Sequence, residues 1–225
     1  MIALFEFLQD KLEFIGRFYD TAAERFETDL KKIEEHEEPY DTFGDIEDDE
    51  PPFLSQWLDD TESLNLLGKA CLCLVQSAFR SYLDGFIIRS GQEELLGPNR
   101  TVNVGKAIKG GNSFEKYQRT FLEFFGIDWQ ASPSLPLVEE VNLARNRIEH
   151  GGTFYDLSHK QDPVYFSRFP ESVFADEFEK AYFGGDDGFQ EPRRISVTRE
   201  NLHIAIEGIK SFCDYLEREW QKRGL

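Results

Sequence analysis

The residues in this chain best suited to chemistry are Arg145, Asn146 and His150, in the run Arg145-Asn146-Arg147-Ile148-Glu149-His150-Gly151-Gly152. Histidine carries or releases a proton near neutral pH, arginine is a permanent cation, and asparagine supplies a neutral donor and acceptor. Together they could move a proton and stabilise developing negative charge. The plainer reading is that Arg145 lays its stem along the edge of the core and His150 caps helix carbonyls.

A helix must position these side chains. Leu137, Val141, Ala144 and Ile148 recur at spacings of four, three and four, so they line one helical face. Pro136 suits the first turn, and Gly151-Gly152 suits the stop. Arg145 then falls on the flank of the stripe, and His150 lies roughly 140° further round in the last turn. The partial negative charge of a helix C-terminus would favour a protonated His150.

The Arg145-Asn146-x-x-x-His150 motif resembles that of the HEPN domain, an all-α family in which Arg-polar-x-x-x-His forms, in many members, a metal-independent ribonuclease site. The resemblance covers about residues 60 to 220, of which only the six-residue motif is specific. It implies an up-and-down helical bundle, sites completed where two copies meet across a two-fold axis, and Arg145, Asn146 and His150 as catalytic residues. Some HEPN toxins also carry a tyrosine two residues after the histidine, which a partner enzyme modifies. Here Gly152 occupies that position, and Tyr155 is the nearest tyrosine.

The composition is 40% apolar with 21 Phe in 225 residues, enough for one large core. The apolar runs read as too short to cross a bilayer, and no secretory leader is evident, so a cytoplasmic protein without a membrane segment is expected. Cys71, Cys73 and Cys213 sit in helical patterns and read as reduced, structural thiols. The formal charge of −18 opposes indiscriminate binding to nucleic acid, but residues 24–62 alone contribute −13 of it. Within that segment, residues 34–50 hold ten acids and no Lys or Arg, with Pro39 and Gly44. This reads as a solvated acidic loop, either a plain linker or an electrostatic guard of the site.

The remaining pattern predicts a mainly α protein. Residues 1–59 hold a long amphipathic N-terminal helix, with Gly16 as its soft spot, followed by the acidic loop and a short helix over 53–58. Residues 60–150 hold the core helices, the first capped by Asp60 or Thr61, the next by Ser113 and ended by Gly126. Residues 151–197 form a small β/loop insertion, with short strands at 164–166 and 194–197 and a helix over 171–183. Residues 198–225 hold a final helix capped by Thr198, with His203 beside its apolar stripe in a structural role. Asp186 and Asp187 lack the spacing of a calcium loop, and neither metal nor cofactor is expected.

Residues 97–119 are the one basic stretch: Arg100, Lys106, Lys109, Lys116 and Arg119 stand against Glu115 alone. The default for such a segment is a solvated loop, but in this acidic chain it is the best candidate to grip an RNA backbone. Gly105-Lys106-Ala107 is no P-loop, because no Ser or Thr follows the lysine. The leading expectation is therefore a homodimeric HEPN-type endoribonuclease acting on RNA, in a toxin or defence role, with a possible antitoxin or regulatory protein as partner. The alternatives are a non-catalytic module for dimerisation, protein or nucleotide binding, and a regulatory partner whose acidic segment mimics nucleic acid.

Overall fold

The computed structural model describes residues 2–41, 52–150, 168–169, 171–175 and 195–224. They are mainly helical: α1 (Ile2–Glu35), α2 (Leu54–Ser90), the single turn α3 (Val104–Ala107), α4 (Ser113–Phe125), α5 (Leu135–His150) and α6 (Arg199–Lys222). One core cluster draws residues from all six.

α1 buries Leu8, Leu12, Ile15, Tyr19 and Ala23, spaced by three or four residues as one helix face requires. Gly16 does not break it. A Cβ there would come 3.2 Å from His203 Cε1 on α6, so the glycine admits the neighbouring helix. α2 returns antiparallel to α1: Leu4 lies against Gly85 near one end, and Trp57 Nε1 donates to Glu34 Oε1 at 3.2 Å near the other. Tyr40 and Phe53, with ring centroids 5.0 Å apart, close that end. Residues 42–51, the middle of the acidic segment, lie outside the described residues.

Two expected boundaries are corrected. The short helix at 53–58 and the capped helix from Asp60 or Thr61 are one helix of 37 residues. Nothing between Leu54 and Leu64 stops a helix, and Asp60 is buried inside it, accepting from Gln56 Nε2 one turn earlier at 2.9 Å. The cap of α4 is Asn112 rather than Ser113. Its side chain accepts from Glu115 N while the Glu115 carboxylate accepts from Asn112 N, a reciprocal capping box. Gly126 ends α4 in the left-handed conformation, and Thr198 caps α6 by accepting from Asn201 N, both as the sequence predicts.

α2 is the hub, packed against α1, α5 and α6, with the aromatic residues of α4 against its C-terminal end. Phe86 meets Phe121, Phe125 and Trp220, and Trp129 meets Phe114, Phe121 and Phe212, so the aromatics of α4 are core rather than exposed platforms. Behind them a buried carboxylate, Glu217, accepts from Tyr82 Oη at 2.8 Å and from Arg89 Nη2 at 3.1 Å. By length and composition α2 is apolar enough to cross a bilayer, contrary to the reading of short apolar runs, but half of that stretch is buried within the protein. The core helix of a bundle meets the same measure.

Of the insertion, the described part departs from expectation. Glu171–Ala175 forms turns and one antiparallel bridge to Ile195, not the start of a helix. The buried carboxylate of Glu140 holds this piece on α5, accepting from Ser172 Oγ at 2.6 Å and Val173 N at 2.9 Å, which directs the backbone away from helical bonding. The expected strand at 164–166, Asp186 and Asp187, and Gly151, Gly152 and Tyr155 lie outside the described residues.

Candidate functional site

α5 carries the motif because Leu135, Val138, Val141 and Ala144 bury its inner face, with Leu137 and Ile148 at the margins. The stripe is thus turned slightly from the predicted one. Leu137 fits over Gly208 of α6, where an added Cβ would stand 2.3 Å from Leu137 Cδ2, and this contact fixes the rotation.

Arg145 emerges on the α2 side with its side chain 28% exposed. Its Nη1 donates to Asn146 Oδ1 at 3.0 Å, and its Nη2 pairs with Glu149 Oε2 at 2.5 Å, one turn later. Nε is buried without a hydrogen-bond partner. Among the described residues, both polar partners of this guanidinium are therefore on its own helix. The backbone of His150 closes α5, one residue beyond Glu149; its side chain is outside the described set.

Of the α2 residues beside the motif, the sequence marks Cys73 only as a structural thiol and does not single out Gln76, Arg80 or Asp84. Gln76 Nε2 donates to Asn142 Oδ1 at 3.3 Å, tying the two helices one turn before Arg145. Cys73 is near enough to feel both members of the Arg145–Glu149 pair: burial pushes its thiol pKa up, Glu149 raises it further and Arg145 opposes them. Four residues beyond Gln76, Arg80 donates to Ser113 Oγ at 2.6 Å and stacks 4.0 Å over the Tyr117 ring. Tyr117 in turn donates to Asp84. Burial, reinforced by that bond, pushes the Tyr117 hydroxyl well above its ordinary range. Cys73, Gln76, Arg80 and Asp84 thus form a polar row at helical spacing, joining the motif to the start of α4. The interruption of an apolar helix by Gln76, Arg80 and Asp84 at intervals of four was the available signal.

The basic residues fall into two groups. Lys106, Lys109, Lys116 and Arg119 gather around α3 and the exposed side of α4. Lys106 Nζ donates to Leu96 O and Lys109 Nζ to Gly105 O, each at 3.2 Å, and Arg119 Nη1 donates to Lys109 O at 3.0 Å. Lys116 Nζ lies 3.9 Å from where a Gly105 Cβ would stand. Arg100 points instead to Glu93, at 3.7 Å. The segment is less of a loop than expected, since it contains a 3-10 turn and α3, but four of its five cations share one surface. Arg119 gives up part of its charge to Glu123 at 3.4 Å.

His203 meets Asp20 Oδ1 at 3.3 Å across the α1–α6 contact. Cys71 and Cys213 are buried free thiols, and burial raises Cys71 to about 11. Among the described residues no group of three His, Cys, Asp or Glu is placed to hold a metal ion. Compared with known proteins, the chain matches no protein-family model, no curated protein and no solved structure.

Proposed function

We propose that this chain is a metal-independent endoribonuclease of the HEPN type. The observation that carries the reading is the Arg145-Asn146-x-x-x-His150 motif at the end of α5, with an arginine whose polar partners among the described residues are both on its own helix. In the proposed reaction the RNA 2'-hydroxyl attacks the adjacent phosphorus. The P–O2' bond forms and the P–O5' bond breaks, leaving a 2',3'-cyclic phosphate and a 5'-hydroxyl. The proton lost by the 2'-oxygen goes to a base, and the departing 5'-oxygen takes one from an acid. His150 fills these proton-transfer roles, the second of them from the motif of another copy, while Arg145 stabilises the charge on the phosphorane oxygens. Asn146 already orients the guanidinium. Lys106, Lys109, Lys116 and Arg119 offer phosphate contacts along the flanking surface, and Arg100 a more distant one.

One observation favours the second reading, a non-catalytic HEPN-like module that dimerises or binds a protein or nucleotide. Glu149 already neutralises Arg145, and substrate phosphate would have to displace it. Purified protein incubated with mixed RNA in EDTA decides between them. Cleavage leaving 2',3'-cyclic phosphate ends, lowered roughly a hundredfold or more in Arg145→Ala and in His150→Ala and absent at a 2'-deoxy position, supports the enzyme. Intact RNA, or cutting that survives both variants, leaves the binding module.

A further inference from the structure

α1 and α2 together present an apolar face that no described part of the chain covers. On α1, Leu4 packs on Gly85 of α2, and Phe7, Lys11, Phe14 and Phe18 follow it at spacings of three, four, three and four, so the stripe borders α2. Phe7, Phe14 and Phe18 are 66%, 61% and 46% exposed. On the adjoining side of α2, Leu66, Leu74 and Ile88 are 65%, 46% and 39% exposed. With about 150–250 Å² per aromatic side chain, the six amount to on the order of 600 Å² of apolar surface. That is at the upper end of what monomers leave open and close to the roughly 800 Å² per partner of a stable interface.

We infer that a second copy of this chain covers this face, with the two α1 helices antiparallel. The sequence of the stripe is complementary to itself in that arrangement. A two-fold axis crossing α1 between Leu12 and Glu13 sets Phe7 against Phe18 of the second copy and Lys11 over Phe14, a cation–π arrangement. On the flank, Asp10 stands two residues, about 3 Å along the helix, off the level of Arg17 of the second copy, within reach of the long arginine side chain. Both are exposed, seven residues apart and thus about 10 Å along the helix, too far to pair within one chain. Because α1 and α2 are antiparallel, the same axis crosses α2 near Ser77 and sets Leu66 against Ile88 of the second copy. Ala70, Ser77 and Ser81, all exposed and small, allow the α2 helices to approach closely. The axis then passes the α5 turn bonded to Gln76, where Asn142 stands one turn before Arg145. This deepens the proposed two-copy site and rests on that reading for its catalytic meaning, but not for the contact itself.

The experiment measures mass by light scattering and the dimer constant by sedimentation, on the full chain, with helicity and melting as fold controls. The wild type should be dimeric at tens of micromolar and Phe14→Glu monomeric with unchanged helicity, since that ring is exposed in the single chain, its melting lowered only by the lost contribution of the dimer. Asp10→Arg and Arg17→Asp should each weaken the dimer by roughly tenfold, and the double swap should restore it. A monomeric wild type, a dimer indifferent to Phe14→Glu, or a double swap no better than the single ones overturns the inference. RNA cleavage is read separately: a dimer of this form that cuts no RNA keeps the interface and removes the ribonuclease, whereas cutting by a monomer does the reverse.

Discussion

Arg89 and Arg145 stand in similar settings and serve opposite ends. Each is a partly buried arginine on a helix flank with a glutamate partner. Arg89 reaches from α2 to Glu217 on α6, a carboxylate only 8% exposed that also accepts from Tyr82. Among the described residues, Arg145 reaches Asn146 and Glu149, its neighbours on α5, and no other helix. The first arrangement joins two helices and compensates a buried charge; the second joins nothing that helical hydrogen bonds do not already hold. A cation whose partners are all local can be removed or redirected at little cost to the fold. That, rather than charge or exposure, marks Arg145 as available for function.

The contrast can be tested from its largest expected effect downward. On the proposed ribonuclease reading, Arg145→Ala should lower RNA cleavage by roughly 10²–10³-fold, as loss of a charge-stabilising group does, while costing about 1 kcal/mol or less of stability. Single-turnover rates alongside thermal melting separate the two quantities, and a large drop in melting temperature would make Arg145 structural after all. Glu217→Ala should do the reverse. Removing the carboxylate that Arg89 and Tyr82 share should cost about 3 kcal/mol, near the low end for a broken buried pair because Arg89 keeps some solvent and its contact with Phe86, with cleavage per folded molecule unchanged. Urea unfolding checks this.

Lys109→Glu with Lys116→Glu should weaken RNA binding about tenfold and flatten its salt dependence by about two counterions, without altering melting. Titrations across ionic strengths would show an unaltered slope if this surface never meets phosphate. The smallest effect is a slow loss of stability in alkali. The Cys71 thiol is raised by burial from 9.0 to about 11. Its contribution is complete below about pH 9, where both states are protonated. It falls by about 1.4 kcal/mol per pH unit as the unfolded chain ionises first, until about pH 11. Denaturant midpoints for the wild type and Cys71→Ala, compared between pH 8 and 10.5, should diverge accordingly; parallel curves would show the thiol is not shielded.

Legibility followed locality. The apolar spacings of α1, α5 and α6, the Gly126 stop and the Thr198 cap were readable because each depends on residues within one or two turns. The Asp60 boundary was misread for the same reason: an aspartate before a helix pattern is a cap by local rules, and only burial against the neighbouring helix, with Gln56 as its partner, makes it an interior residue. The turns at 171–175 depend on Glu140, more than thirty residues away, and no short-range signal marks them. For the site, the sequence offered Arg145, Asn146 and His150 as a motif and the five cations as a cluster. It was silent on the neighbours that distinguish them.

By itself, then, the sequence determined where helices run, which faces of them are apolar, where the charge is concentrated and where a proton carrier and a cation recur at a helix end. These are properties of spacing along one chain, and helical geometry converts them directly into faces. Tertiary structure alone decided which apolar stripes were used. Leu8, Leu12 and Ile15 went into the core while Phe7, Phe14 and Phe18, one row round the same helix, stayed outside. It also decided that Glu217 takes Arg89 from another helix while Arg145, among the described residues, pairs within α5. The physical reason is that burial and ion pairing are relations between helices. Their strength depends on distances that no spacing within a single helix contains.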